Sequence, residues 1–224
     1  MGNKPLGRVK IKWSPEFAYA IGLLTTDGNL SSNGGHCDLT SKDKEQILNF
    51  KKCLGIKNKI GLKISGSSGN KSFRIQFGDV IFYNFLLGIG LTPHKSLTIE
   101  KLNIPNEYFM DFLRGHFDGD GTFYSYWDKR WKSSFMFYTE FVSASKKHID
   151  WLRGIIFSLL KIRGHITKSK NNSAYQLKYA KADSLKLLPE IYYSKDIICL
   201  SRKRLKIERV LAIIGKKLDN KRRL

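Results

Sequence analysis

Residues 112–123, "FLRGHFDGDGTF", open as an amphipathic helix, place Gly115 in its middle and close on two Asp-Gly pairs. Residues 20–30, "AIGLLTTDGNL", do the same with Gly22 and Asp27-Gly28. A glycine inside a helix costs about 0.5–1 kcal/mol relative to alanine, and an aspartate at a helix C-terminus opposes the dipole by about 0.3–1 kcal/mol. Two stretches that carry both penalties need a common reason. Four residues after each glycine comes another small residue, Thr26 or Gly119, so each helix offers a ridge on which a second backbone can pack closely. Pairing of the two helices would gather Asp27, Asp120 and the carbonyls of Thr26 and Gly119 into one all-oxygen region, a donor set suited to Mg²⁺. A single Asp-Gly reads as an ordinary turn or helix cap; two in register point to the cation.

The surroundings of the two stretches also match. The first helix has Ser14 as N-cap and Pro15 at its first position; the second follows Pro105 as "NEYFMDFLRGHFDG". After each comes a hairpin pattern: "NLSSNGGHCDLTS", turning at Asn33-Gly34-Gly35, and the aromatic, alternating "TFYSYWDKRWKSSFMFYTEFVSAS", turning near Asp128 to Arg130. A helix, two more strands and another helix follow in both halves, which end in the basic turns "LTPHKS" and "LSRKR". The chain therefore reads as an α+β tandem of two αββαββα domains, 1–100 and 101–224, with the two aspartates 93 residues apart. That period exceeds solenoid repeats and favours two domains related by a pseudo-twofold axis.

Forty Lys+Arg against nineteen Asp+Glu among 224 residues leave a formal charge of +21. Both halves share it, with fourteen basic against seven acidic side chains up to residue 100 and twenty-six against twelve beyond. Such an excess calls for a polyanion, nucleic acid first. No stretch approaches the ~18 apolar residues of a membrane span, and the N-terminus lacks a signal-peptide pattern. Cys37, Cys53 and Cys199 are odd in number and widely spaced, which suggests neither a disulfide framework nor a zinc site. They are expected to be thiols in a reducing intracellular compartment.

With these residues in view, "AIGLLTTDG" and "LRGHFDGDG" resemble the two motifs of the LAGLIDADG homing endonucleases in their single-chain form. The resemblance covers nearly the whole chain. It implies motif helices packed at the domain interface, two antiparallel sheets forming a saddle over the DNA major groove, and metal binding by the last acid of each motif, here Asp27 and Asp120. It also implies a basic residue near each active site, a place taken by Lys95 and Lys203. The end of the second strand, where the family often carries glutamine, has Ser41 with Lys42 in one half and Ser143 with Ala144 in the other. Shorter side chains there imply a different water network, and the single lysine implies unequal cutting of the two strands. Thr25 replaces the first motif's earlier aspartate, whereas Asp118 remains in the second as an interface residue.

Strand alternation separates inward from outward positions. With Cys37 and Leu39 inward, His36, Asp38 and Thr40 face the groove, and Asn29, Ser31 and Asn33 are placed on the preceding strand. Inward Phe73, Ile75 and Phe77 expose Arg74 and Gln76, and the matching Tyr175, Leu177 and Tyr179 expose Gln176 and Lys178. The second-half face comprises Tyr124, Tyr126, Ser134, Met136, Tyr138 and Glu140, with Arg130 and Lys132 at its turn. Lys63, Ser65, His165 and Thr167 lie on neighbouring strands. Arg or Lys can read guanine and Gln or Asn adenine, while scattered lysines hold phosphates and make affinity fall with salt.

The resulting expectation is a monomeric, Mg²⁺-dependent endonuclease that makes a staggered double-strand break in a long DNA site, with Mn²⁺ or Ca²⁺ able to support binding. Two other readings stay open: an RNA-binding maturase assisting group I intron splicing, and a DNA-binding regulator without cleavage.

Overall fold

The protein is described by a computed structural model covering residues 7–64, 69–131, 133–169 and 174–218. The first motif helix forms for the reasons its sequence offers. Ser14 Oγ accepts from the Phe17 N–H at 3.1 Å, Pro15 stands at the first position, and α1 runs Pro15–Thr26 with Asp27 as its C-cap. The second begins differently. Residues Asn106–Tyr108 form a 3₁₀ turn, and α5 spans Phe109–Asp120, a tightening of the first turn that is common at helix starts.

The chain divides into two compact units, Met1–Gly119 and Asp120–Leu224. The sequence pattern restarts near residue 100, whereas packing parts after Gly119, because α5 lies against α1. Unit 1 continues from α1 through β1 (Gly28–Leu30), β2 (His36–Ser41), α2 (Lys44–Leu54), β3 (Ile60–Ile64), β4 (Lys71–Gly78), α3 (Val80–Gly88) and α4 (Lys95–Thr98). Unit 2 holds β5 (Thr122–Trp127), β6 (Phe135–Ser143), α6 (Lys146–Leu160), β7 (His165–Lys168), β8 (Tyr175–Tyr179), α7 (Lys181–Ile191) and α8 (Ser201–Ile213).

The two antiparallel sheets share one topology, β1-β2-β4-β3 and β5-β6-β8-β7, so the chain is an α+β fold with two pseudosymmetric halves. Even the register repeats. Asn29 pairs with Asp38 and Asp38 with Gln76, as Thr122 pairs with Glu140 and Glu140 with Lys178. Of the inward positions, Cys37, Leu39, Ile75, Phe77, Leu177 and Tyr179 are buried, as are Phe137 and Phe141, whereas Phe73 and Tyr175 are half-buried.

Several expectations change. β1 ends at Leu30, so Ser31 and Asn33 lie in the turn, where Gly34 and Gly35 take positive φ of 79° and 85° that few other residues tolerate. Ser134 precedes β6, and its N–H donates to the Trp131 carbonyl within the second hairpin turn. The "LSRKR" segment is not a turn: from Ser201 it is the start of the thirteen-residue α8. Ser65 and Lys132 lie outside the described residues. The thiols of Cys37 and Cys53 are pushed up to about 12, mainly by burial, with Asp79 next in effect on the first and Glu16 on the second; such thiols are poor nucleophiles.

The glycines sit where backbone meets backbone. A methyl group on Gly22 would be driven into the Phe112 carbonyl and would lie 2.6 Å from the His116 nitrogen; one on Gly115 would run into the Tyr19 carbonyl and lie 3.1 Å from Gly22 Cα. Gly119 in turn abuts the Thr26 side chain. Gly22 thus meets Gly115 and Thr26 meets Gly119, an unchanged offset that makes the two helices parallel. Both are buried nearly all round, over Phe17–Thr25 and Phe109–Asp118. Their polar groups therefore need partners: Tyr19 OH donates to Asp118 Oδ2 at 2.9 Å, and the Arg114 guanidinium pairs with Asp111 at 2.8 Å while lying 5.4 Å from the Tyr19 ring centre. Burial and the Asp118 charge push the Tyr19 hydroxyl well above its ordinary range.

Gly22→Ala and Gly115→Ala should each cost about 3 kcal/mol of unfolding free energy, because the clash is with main chain that cannot step aside. Gly154→Ala, on α6 with open space around the added carbon, should stabilise by about 0.5–1 kcal/mol. Urea denaturation of the three variants checks both directions.

Candidate nuclease site

Asp27 leaves the end of α1 half-buried, beside the corner where Gly119 of α5 packs. An added Cβ on Gly119 would lie 3.1 Å from Asp27 Oδ2, so only hydrogen keeps that approach open. Asp120 follows in the chain as the last residue of α5 and is exposed. Neither helix has a basic residue in its last turn, so their negative ends need cations from elsewhere.

Two lysines supply part of that charge. Lys95 Nζ donates to the carbonyl of Gly28, the residue after Asp27, and Lys203 Nζ donates to the carbonyl of Gly121, the residue after Asp120, at 2.7 Å. Both lysines are 8 % exposed. The family resemblance implied a basic residue near each motif acid, and the structure brings each lysine, within its own unit, to the matching carbonyl. They come from unlike local structure. Lys95 opens the short α4 directly after His94, which sits in the left-handed region at φ 52°, a conformation histidine adopts only occasionally. Lys203 stands in the first turn of α8, where its N–H donates to the Leu200 carbonyl.

A residue that sequence reasoning missed completes the first acid's surroundings. Gln46, on the first turn of α2 and 2 % exposed, donates from Nε2 to Asp27 Oδ2 at 2.5 Å. Its amide has a defined orientation because Ser41 Oγ donates to Gln46 Oε1 at 3.0 Å, while Ser41 itself accepts from the Asp43 N–H at 3.1 Å. Ser41 therefore acts on Asp27 through Gln46, and Lys42 lies exposed one residue on. In unit 2, Ser143 repeats the turn by accepting from the Ser145 N–H at 3.2 Å, and Ser145 caps α6 by accepting from the His148 N–H at 3.4 Å. His148, 1 % exposed, stands three residues after its cap, as Gln46 does after Asp43. Aligning "SKDKEQ" with "SASKKH" would have revealed the pair.

The expected groove-facing positions divide into reachable and occupied groups. His36, Asn29, Gln76, Lys63, Tyr126 and His165 are exposed, and Thr40, Arg74, Tyr124, Met136, Tyr138, Thr167, Gln176 and Lys178 are half-buried. Asp38 and Glu140 face outward by register but are buried, at 7 % and 6 %. Arg74 covers the first at 3.0 Å and Lys178 the second at 3.5 Å. Arg130 projects from the second hairpin turn, paired with Asp128 at 3.2 Å. On unit 2 the rings of Tyr124, Tyr138 and Tyr126 stack at 5.3 and 6.2 Å, making that face more aromatic than its counterpart. A contact between the Tyr138 and Tyr126 hydroxyls, followed by desolvation, raises the Tyr138 hydroxyl above its ordinary value.

Among the described residues no three His, Cys, Asp or Glu side chains converge as a metal cluster, and no helix is long and apolar enough to cross a membrane. The Asp27 carboxylate beside Gly119 is an oxygen ligand of the kind that a hard divalent cation takes from protein.

No protein-family model and no curated protein matches the sequence. Solved structures do match. The meganuclease I-SmaMI bound to uncleaveable DNA superposes with a TM-score of 0.60 at 17% identity over 91% of this chain and 93% of that one. The homing endonuclease I-DmoI in complex with DNA and Ca gives 0.58 at 15% identity over 86% and 97%. Full-length DUF199/WhiA from Thermatoga maritima gives 0.56 at 18% identity; this chain is covered over 95% and spans 63% of that longer protein. The fold is therefore that of the LAGLIDADG homing endonucleases and of the LAGLIDADG domain of WhiA.

Gln46→Leu should remove a charge-assisted bond and leave Asp27 with one donor fewer, lowering stability by about 2 kcal/mol; Ser41→Ala should cost about 1 kcal/mol. Equilibrium urea unfolding in the absence of divalent ions measures both.

Proposed function

We propose that the chain is a site-specific, divalent-cation-dependent endonuclease of double-stranded DNA that acts as a monomer, with Asp27 and Asp120 as the metal-holding acids. One observation carries the reading. The parallel, glycine-mediated packing of α1 and α5 seats Gly119 against Asp27, and the covalent chain places Asp120 Cα only about 3.8 Å beyond Gly119 Cα. On that basis we read the two acids, 93 residues apart in sequence, as ligands of one cation. Support also comes from the +21 charge and from the fold shared with endonucleases solved on DNA.

Asp27 and Asp120, with the carbonyls of Thr26 and Gly119, would hold the cation. When bound, it supplies Lewis-acid charge at the scissile phosphate and acidifies the attacking water. The chain's own groups do the rest. Gln46 fixes the rotation of the Asp27 carboxylate, and Ser41 fixes the amide of Gln46. Lys95 and Lys203, held at the carbonyls after each acid, add positive charge where the phosphate gains negative charge in the transition state. The buried position of each ammonium makes that charge count for more than it would in water.

Asp27→Asn or Asp120→Asn should abolish cleavage of a duplex library in Mg²⁺ while DNA binding persists. Lys95→Met and Lys203→Met should each slow cutting by about a hundredfold, the scale for loss of one transition-state donor. Full cleavage by the doubly substituted Asp27→Asn, Asp120→Asn protein would remove the acids from the mechanism. The fold also occurs in WhiA, so sequence-specific DNA binding without cleavage is the second reading, and it gains if the unaltered chain binds but never cuts.

A further inference from the structure

The buried acid on the outward face of each sheet has no place in the hydrolytic machinery. In a protein of charge +21 a carboxylate there would repel DNA phosphates. Asp38 is nevertheless built in with care. Its oxygens accept from Arg74 Nε at 3.1 Å and Arg74 NH2 at 3.0 Å, and from Asn29 Nδ2 at 3.2 Å. Register explains the convergence: Asn29 is directly opposite Asp38, and Arg74 pairs with Thr40 two residues along on the same face.

A guanidinium is a rigid planar fork with five N–H donors. Asp38 takes the edge formed by Nε and NH2. The edge formed by NH1 and the second NH2 proton therefore points away from the carboxylate, and the Arg74 side chain remains 34 % exposed. Two parallel donors on a fixed plane match two adjacent acceptors. In the major groove only guanine presents such a pair, O6 and N7; adenine offers one acceptor beside a donor, thymine one acceptor, and cytosine a donor. A phosphate also offers two acceptors, but it would meet a guanidinium whose charge Asp38 already cancels. The pair keeps directional donors and discards the net charge, which suits a neutral base edge.

Given the DNA-binding function proposed above, on which this rests, we infer that Arg74 is a specificity-determining residue reading one guanine, and that Asp38 is its positioning residue, not a base contact. Unit 2 has an acid at the same register, Glu140 in the place of Asp38, but its partner Lys178, at 3.5 Å, stands directly opposite it in the place of Gln76, and Gln176 takes the place of Arg74. An ammonium swivels and lacks the fork, so the Glu140–Lys178 pair discriminates less sharply than Asp38 with Arg74.

The test uses the full chain and a random-sequence duplex library, with Ca²⁺ replacing Mg²⁺ and the bound pool sequenced. The unaltered chain should enrich a consensus. Arg74→Ala should lower the preference for guanine at one position about tenfold or more and leave the other positions intact. Asp38→Asn should relax the same position although the arginine is present, a change that general destabilisation would not confine to one base pair. Arg74→Lys retains the ion pair with Asp38, so it folds, and it too should relax that position. The inference is overturned if the Arg74 variants weaken all sequences alike, as a phosphate contact would, or leave the consensus unchanged. Failure of the unaltered chain to enrich any consensus would defeat site-specific DNA recognition itself and this inference with it.

Discussion

The contact between α1 and α5 is made by main chain against main chain. Ordinary helices stand apart by the thickness of their side chains, about 8–10 Å between axes. Here Gly22 and Gly115 remove that layer, and everything nearby follows from the loss. The helices run parallel, so the negative ends of two dipoles come close instead of cancelling, an unfavourable arrangement that protein cations offset only in part. Lys95 meets one such end, through the carbonyl after Asp27. Under the function proposed above, a hard cation meets the remainder.

Burial sets the chemistry of the same helices. An all-round buried helix is ordinarily apolar, yet α5 carries Asp111, Arg114, His116 and Asp118 inside. The Arg114–Asp111 pair and the Tyr19–Asp118 bond answer most of that charge. Breaking such a buried pair costs far more than its formation contributes, so these residues favour one arrangement of the helices over slipped alternatives. Asp118, although it belongs to the motif, is thereby committed to packing, and Asp27 and Asp120 stay near the surface.

Much of this was legible before any coordinates. The two hairpins, the repeated helix–hairpin order and most inward positions from Cys37 to Tyr179 follow from period, punctuation and repetition, and the two lysines from the family resemblance. What escaped was local in a different sense. Gln46 reads as an ordinary polar residue of a helical first turn, and only the folding of α2 against the end of α1 brings its amide to Asp27. Asp38 and Glu140 obey alternation yet are buried, because a cross-strand neighbour can cover an outward carboxylate without changing the strand's pattern. The "LSRKR" segment reads as a turn because its basic residues obscure the apolar stripe of Ile207, Val210 and Leu211 that α8 buries.

The sequence by itself determined that there are two matching αββαββα halves, that each ends a motif helix on an acid, and that the chain seeks a polyanion. These are statements about periodicity, punctuation and charge, which local chemistry writes directly into the order of residues. Tertiary structure alone decided which side chain holds Asp27 in place and which outward charges cancel each other. Such outcomes depend on distances between residues far apart in sequence, and no local propensity encodes a distance across the fold.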